Sequence, residues 1–453
     1  MYRRALVLPG EDPEAVVAAH HHRVEFSGED WRDLRQLTQR WEAPVVVTTA
    51  VQFFETLAAN QTVPLRKLHQ VPGAAIFVDE AHAAMPAPIW PQEWRWLREL
   101  CDDWNCHVVL ASGSLSRFWE LNDFVPANEQ WPIPELVPEA IRERAASFEA
   151  KRVWLKTRPD QLSLADLADF VSEKPGPRLV ILNTVQSAAI LAHYLRHERR
   201  LGQNVEHLST ALCPADRETT LSRVKEKLRS EWKDWTLVAT SCVEAGVDFS
   251  FRIAFRESCG LVNLLQTAGR VSRGGEYPDA EVWDFRHDES GFLNLHPHFK
   301  TSRKVLAGLF AEHGENLGPQ HCTEALQREL NASFGEPESL AARIMAAERD
   351  EDYPQVAQDC RLITADTRTV LVSQELIARF LTFDAQQFPT PRQVMRHSVQ
   401  VWENKLRDLP VTRSLGFGEE LVGIQPGCYD SFLGYMKGVL PLLAAQIAGG
   451  FVL

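Results

Sequence analysis

Ile76-Phe77-Val78-Asp79-Glu80-Ala81-His82 opens with three apolar, strand-forming residues and closes with two acids, a small residue and a histidine. A short apolar run without alternation suits a strand buried on both faces of a parallel sheet. At the carboxyl end of such a strand, side chains meet the ligand crevice. There Asp79 can hold a Mg²⁺ ion on nucleotide phosphates, and Glu80 can orient or deprotonate an attacking water. The plainer alternative is a strand running into an acidic helix start, which the helix dipole alone favours. This heptapeptide by itself does not separate the two.

Around it, short β-rich runs alternate with helical patterns. Ala5–Leu8, Pro44–Thr49, Ala74–Asp79 and His107–Ser112 read as strands. Glu14–His22, Glu29–Arg40, Gln52–Ala59 and Gln92–Asp102 read as helices between them. That alternation predicts a parallel sheet covered by helices. A proline-rich stretch near 126–160 reads as a connector with a helix over Pro138–Ala150. The alternation then restarts, with strands at Arg178–Asn183, Val205–Leu208, Thr236–Thr240, Arg252–Phe255 and Glu281–Phe285. The expected organisation is a first α/β lobe over 1–125, the connector, a second lobe over 161–290, and a mainly helical accessory domain over 291–453.

The second lobe carries two further motifs. In Gln266-Thr267-Ala268-Gly269-Arg270-Val271-Ser272-Arg273 the arginines lie three apart, so they share a helix face or helix end. Gly269 lets the backbone approach closely. Two guanidiniums on one face can clamp a transferring phosphoryl group; a solvated basic helix end is the bland reading. In Val238-Ala239-Thr240-Ser241-Cys242-Val243-Glu244-Ala245-Gly246-Val247-Asp248 a strand enters a hydroxyl-rich turn. Gly246 permits tight geometry there, and Asp248 can meet a ribose hydroxyl.

Composition sets loose bounds. The 453 residues are 45% hydrophobic and 24% charged, ordinary for a globular protein, and two or three domains are the prior. The formal charge of −13 argues against a broadly basic nucleic-acid binder, though not against a local groove that grips the backbone of a single strand. None of the eight cysteines forms a C-x-x-C pair, so they read as reduced thiols. His20-His21-His22 lacks a partner at ligand spacing and reads as no metal site. With no apolar run long enough for a membrane span and no signal-peptide pattern, the cytoplasm is the expected location.

Taken in order, the motifs resemble the tandem RecA-like core of superfamily-2 DExH helicases, in which ATP sits between two lobes. Leu110-Ala111-Ser112-Gly113-Ser114 stands where that family has Ser-Ala-Thr, departing at Gly113 and Ser114 but keeping the hydroxyls. A narrower resemblance covers roughly Ala5 to Asp284. It rests on Val47-Thr48-Thr49-Ala50 through Leu57, Leu65-Arg66-Lys67-Leu68-His69, Ile181-Leu182-Asn183-Thr184-Val185, Leu212-Cys213-Pro214-Ala215-Asp216-Arg217 and Val243 to Phe249. These look like the type I CRISPR-associated helicase–nuclease family, and Leu433-Gly434-Tyr435-Met436 fits that family's C-terminal domain. The resemblance implies ATP and Mg²⁺ as cofactors, with single-stranded DNA and a guide-RNA surveillance complex as partners. It also implies 3′→5′ movement. Asp79, Glu80, Gln266, Arg270 and Arg273 would be catalytic, with Asp79 on the metal, and Gly246, Asp248 and Gly269 would meet the nucleotide. Thr48, Thr49, Thr184 and Thr240 would meet DNA, and His82, Ser112 and Ser114 would couple hydrolysis to movement.

No G-x-x-x-x-G-K-[ST] occurs, so the phosphate-cradling loop and its lysine are missing from these residues. No histidine–aspartate pair precedes Asp79 either, and the family's nuclease domain is not expected here. The first lobe is therefore expected to be incomplete, with a companion polypeptide as the possible source of the rest. The alternative is a catalytically dead DNA-binding or scaffold protein. A metabolic α/β enzyme would suit the acidic charge but leaves the ordered motifs unexplained.

Overall fold

The computed structural model describes residues 2–20, 38–84, 89–130, 132–244, 246–289, 293–333, 340–361, 367–382, 388–407, 409–415 and 421–447. Its contacts divide the chain into two units. One joins Met1–Ile133 to Leu330–Thr364, and the other joins Pro134–Glu329 to Ala365–Leu453.

In the first unit the described strands form two parallel pairs. β1 (Val17–His20) lies beside β2 (Val45–Thr48), and β3 (Ala75–Val78) beside β4 (His107–Leu110). The run expected to be a strand at Ala5–Leu8 is instead the end of an exposed helix, Tyr2–Leu6. The helix expected over Glu14–His22 stops after Pro13–Val16, because Val17 and Ala18 are buried in the pairing with Val45 and Val46. Cross-strand burial overrides local propensity there. Most of the helix expected over Glu29–Arg40, and His21 and His22, lie outside the described residues. On β3 the Phe77 side chain is 63% exposed, so this sheet leaves apolar surface open. The helix Trp90–Asp102 covers the pair with Trp94, Leu97 and Leu100, and its Trp94 stacks on Trp119 at 5.3 Å. Helices Leu340–Arg349 and Tyr353–Asp359 pack on it through Ile344 and Val356 against Trp96.

The second unit is built on a six-stranded parallel sheet in the order β5-β10-β9-β6-β8-β7. Its strands are β5 (Trp154–Leu162), β6 (Arg178–Ile181), β7 (Val205–Leu208), β8 (Thr236–Ala239), β9 (Ile253–Glu257) and β10 (Glu281–His287). β6, β8 and β9 are buried throughout, as continuous apolar runs predict for central parallel strands. The connector expected over 126–160 needs correcting. Its second half is the helix Glu139–Arg152 followed by β5, an edge strand paired to β10. Trp154, Asp160 and Gln161 face outward on β5, which hides the strand pattern in the sequence.

The accessory domain expected over 291–453 is also distributed differently. Helices Lys300–His313 and Cys322–Ser333 share the core of the six-stranded sheet, where Leu306, Leu309 and Cys322 meet Phe251 and Leu264. Residues 340–361 belong to the first unit. The remainder holds a mixed four-stranded sheet ordered β12 (Ser398–Trp402), β11 (Thr367–Leu371), β14 (Leu421–Ile424), β13 (Val411–Ser414), set among the helices Gln374–Thr382, Pro391–Arg396 and Met436–Ile447. Strands of four or five residues, one side of which faces solvent, give little periodic signal.

That sheet is anchored to the parallel one by hydrogen bonds. Tyr429 donates to Asp216 at 2.6 Å and accepts from the Cys213 amide at 2.9 Å. His207 Nδ1 meets the Phe432 carbonyl at 2.7 Å. Gly434, at φ +64°, passes so close that a Cβ would stand 2.1 Å from the Ala211 carbonyl oxygen. Among the described residues no helix is long and apolar enough to cross a membrane.

Candidate functional site

Apart from the arginine motif, the singled-out residues fall at the carboxyl ends of parallel strands or in the loops that follow them. This is where open α/β sheets present ligand-binding side chains. In the first unit β3 delivers Asp79, Glu80 and His82, its neighbour β4 delivers Ser112 and Ser114, and β2 delivers Thr48 and Thr49.

Asp79 is exposed, and one carboxylate oxygen accepts the Glu80 amide at 3.0 Å. Glu80 stands at φ +49°, a left-handed turn that takes the chain from the strand into the short helix Ala81–Ala84. His82 Nδ1 shares a 2.7 Å hydrogen bond with the Ser112 hydroxyl, which also accepts the Ser114 amide at 3.1 Å. Glu80 Oε2 lies 3.4 Å from the same ring nitrogen. Burial lowers the His82 pKa, outweighing the opposite pull of Glu80, so the ring is neutral at pH 7. The acidic motif and the serine motif are thus hydrogen-bonded through His82. Thr49 is the N-cap of the helix Ala50–Leu57, accepting from the Gln52 amide, while Thr48 donates to the His20 carbonyl. Asp79 is the residue able to hold a hard divalent cation, since Mg²⁺ commonly takes one or two protein carboxylates.

In the second unit β6 leads to Asn183 and Thr184, β8 to Thr240, and β9 to Glu257. Thr184 caps the helix Val185–His193, accepting from the Ser187 amide at 3.0 Å. Thr240 is buried, its hydroxyl 3.5 Å from Cys242 Sγ. Gly246, at φ +75°, occupies a conformation that L side chains rarely adopt. Asp248 is 89% exposed and pairs with Arg273 at 2.6 Å.

The arginine pair departs from expectation. The helix Leu261–Ala268 carries Gln266 and ends at Gly269, so both arginines follow it and share no helix face. Arg270 is buried and donates to the Val243 and Glu244 carbonyls, whereas Arg273 is exposed. Ser272 at φ +43° turns the chain between them. From the other side Arg152 donates to the Ala268 and Val271 carbonyls, capping the helix end.

Sequence reasoning missed a buried polar network beneath these loops. Arg256 on β9 reaches Glu244 at 2.8 Å and Asn183 Oδ1 at 2.6 Å. The Asn183 amide donates to Glu257 Oε2 at 2.7 Å, and Glu257 Oε1 faces His287 Nε2 at 3.3 Å. Burial raises the Glu244 pKa against the pull of Arg256. Burial alone would lower His287, but Glu257 outweighs it and the pKa rises. The available signal was the Arg256-Glu257 pair at the end of an otherwise apolar strand.

Residues 174–276, spanning β6 to the arginine loop, match the family model of the CRISPR-associated nuclease/helicase Cas3, C-terminal. Over that stretch the chain is similar to the C-terminal part of that family. A curated relative, the CRISPR-associated nuclease/helicase Cas3 of Haloferax volcanii, is 21% identical over 363 residues, covering 59% of this chain and 38% of the relative. The chain is similar in fold to T. fusca Cas3 with ATP (TM-score 0.60, 17% identity, 93% of this chain and 59% of that one). It is likewise similar to T. fusca Cas3 with AMPPNP (TM-score 0.56, 16% identity, 89% and 56%) and to a chain of a CRISPR RNA-guided surveillance complex in a pre-nicking state (TM-score 0.52, 16% identity, 85% and 57%). This fold is the tandem RecA-like α/β architecture. The chain spans less than two fifths of the curated Cas3 and under three fifths of these structures.

Proposed function

We propose that this chain is the motor portion of a CRISPR interference helicase, moving 3′→5′ on single-stranded DNA at the expense of ATP. The observation that carries the reading is the His82–Ser112 hydrogen bond, which joins the acidic motif to the serine motif at the ends of adjacent strands. Such a bond lets a change at Asp79 or Glu80 reach the β4 loop, as coupling hydrolysis to strand movement requires. Mg²⁺, when bound, would neutralise phosphate charge, and Asp79 would hold it. Glu80 orients the water, and Arg273, with its solvent-facing guanidinium, stabilises the transferring phosphoryl group. Thr48, Thr49, Thr184 and Thr240 serve the DNA backbone. The phosphate-cradling lysine is supplied by a companion segment, and the guide-RNA surveillance complex delivers the strand.

The test is ATP turnover with single-stranded DNA, by the chain alone and with a segment carrying a phosphate-binding loop. Turnover is expected to be very slow alone and to rise with the segment, in an Asp79- and Glu80-dependent way. Turnover at ordinary helicase rates by the chain alone would refute the need for a companion. A second reading, a DNA-binding shell without turnover, draws on Arg270, whose guanidinium is spent on two backbone carbonyls. No turnover in either arm, with DNA binding retained, would favour it.

A further inference from the structure

The loop after β6 carries Thr184, proposed for DNA, and the loop after β8 leads to Gly246 and Asp248, expected at the nucleotide. Each loop has anchors of its own. The Asn183 amide donates to Glu257 Oε2 at 2.7 Å, its side-chain nitrogen donates to the Ser258 carbonyl at 3.2 Å, and Thr184 caps the helix Val185–His193. In the other loop Glu244 Oε2 accepts from the Asn263 side chain at 3.4 Å. The Val243 and Glu244 carbonyls accept from Arg270. These bonds hold both loops without help from Arg256.

Arg256 adds one further bond to each of them. β9 lies beside β6 and not beside β8, yet the buried guanidinium at its end reaches the loops of both. Nε donates to Glu244 Oε1 at 2.8 Å, and Nη1 donates to Asn183 Oδ1 at 2.6 Å. Nη1 also donates to the Glu257 carbonyl at 3.0 Å, which fixes the planar group against its own strand. A buried ion pair often contributes no more stability than apolar residues of like size, and Glu244 alone would satisfy the charge. The bond to the neutral Asn183 side chain is one that an ion pair stabilising the core does not need. Because the guanidinium is rigid, displacing one of its partners moves the donor that holds the other.

We infer that Arg256 is a positioning residue that couples the loop after β6 to the loop after β8, so that a single strand seated at Thr184 sets the geometry of the turn Ser241–Val243. The linkage stands on the hydrogen bonds, while its response to DNA rests on the function proposed above. Lysine at position 256 can pair with Glu244, but its single ammonium lacks the planar fork that serves both loops at once. Arg256→Lys therefore keeps the charge and removes the link.

The experiment is hydrogen exchange read by mass spectrometry on the purified chain, comparing wild type, Asn183→Ala, Arg256→Lys and the double variant. Asn183→Ala keeps the backbone bond to Glu257 and removes the Arg256 acceptor. It should quicken exchange at Ser241–Val243 by about threefold or more in the wild-type background and change nothing there in the Arg256→Lys background. A merely structural Arg256 gives a different pattern: Arg256→Lys quickens β6, β8 and β9 alike, and Asn183→Ala has no effect at Ser241–Val243. Oligothymidylate should slow exchange at residues 184–187 and at Ser241–Val243 in wild type, but only at 184–187 in Arg256→Lys. Absence of any protection would count against the proposed DNA contact, and the Asn183→Ala comparison then decides the linkage by itself. Should Arg256→Lys not fold, Glu244→Ala takes its place: quickened exchange at residues 184–187 supports the linkage, and a change confined to its own loop overturns it. An Asn183→Ala effect confined to residues 183–187, or one that persists in folded Arg256→Lys, would overturn it as well.

Discussion

Glu93 is a carboxyl held away from water. It is fully buried on the helix Trp90–Asp102, neither carboxylate oxygen has a hydrogen-bond partner, and burial pushes its pKa up to about 8. A carboxyl whose folded pKa exceeds the ordinary 4.5 is held protonated in the fold. Its stability contribution is therefore intact below about pH 4.5, declines as pH rises toward 8, and is flat beyond. Each pH unit in that window costs up to about 1.4 kcal/mol. Glu93→Gln, which mimics the protonated form, should lose visibly less stability than wild type between pH 5 and 8 in urea melts. Parallel curves would show that Glu93 is solvated. At the same scale the two arginines should separate. Arg270→Ala strands the buried Val243 and Glu244 carbonyls and should cost about 2–4 kcal/mol. Arg273→Ala breaks a pair with the exposed Asp248 and should cost under about 1 kcal/mol. In a protein completed with a phosphate-binding loop, Arg273→Ala should nevertheless cut ATP turnover by about a thousandfold, with Lys rescuing little. A stable, fully active Arg273→Ala protein would remove that arginine from the catalytic set.

Among elements, the segment Tyr429–Met436 governs how the C-terminal sheet is held to the parallel one. Gly434→Ala would drive a methyl group into the Ala211 carbonyl at a left-handed φ, so the backbone must shift. The expected result is faster hydrogen exchange in β11–β14 with the six-stranded sheet little changed; unaltered exchange throughout would mean the anchor is dispensable. His207 lies under the same segment, fully buried, its pKa lowered to about 4 by burial. A histidine depressed in the fold gives stability that is present above its usual 6.5 and lost as pH falls toward 4. Proteolysis at the anchor should accordingly quicken in that window for wild type and less so for His207→Asn.

At the scale of the molecule, the proposed grip on single strands by a chain of net charge −13 has to come from local groups acting on the nucleic-acid backbone. Affinity should fall with added salt, modestly, and unrelated single strands of equal length should bind within about threefold of one another. A strong preference for one sequence would point to base contacts and away from the threonine set.

The sequence alone determined the tandem α/β plan and the chemical character of its loops. Apolar runs such as Leu179–Ile181 and Leu237–Ala239 have few fates other than central parallel strands, and acids or hydroxyls directly after them fall at the carboxyl ends. It did not determine what those side chains touch. Arg270 and Arg273 are three residues apart, yet the helix stops at Gly269 and Ser272 reverses the turn, so one is buried and the other solvated. β5 was hidden because an edge strand presents polar residues to water, and β1 because its pairing with β2 outweighs helical propensity. The Arg256 network joins residues on separate elements. Only tertiary packing brings them within hydrogen-bonding distance, because burial and charge pairing depend on neighbours in space rather than along the chain.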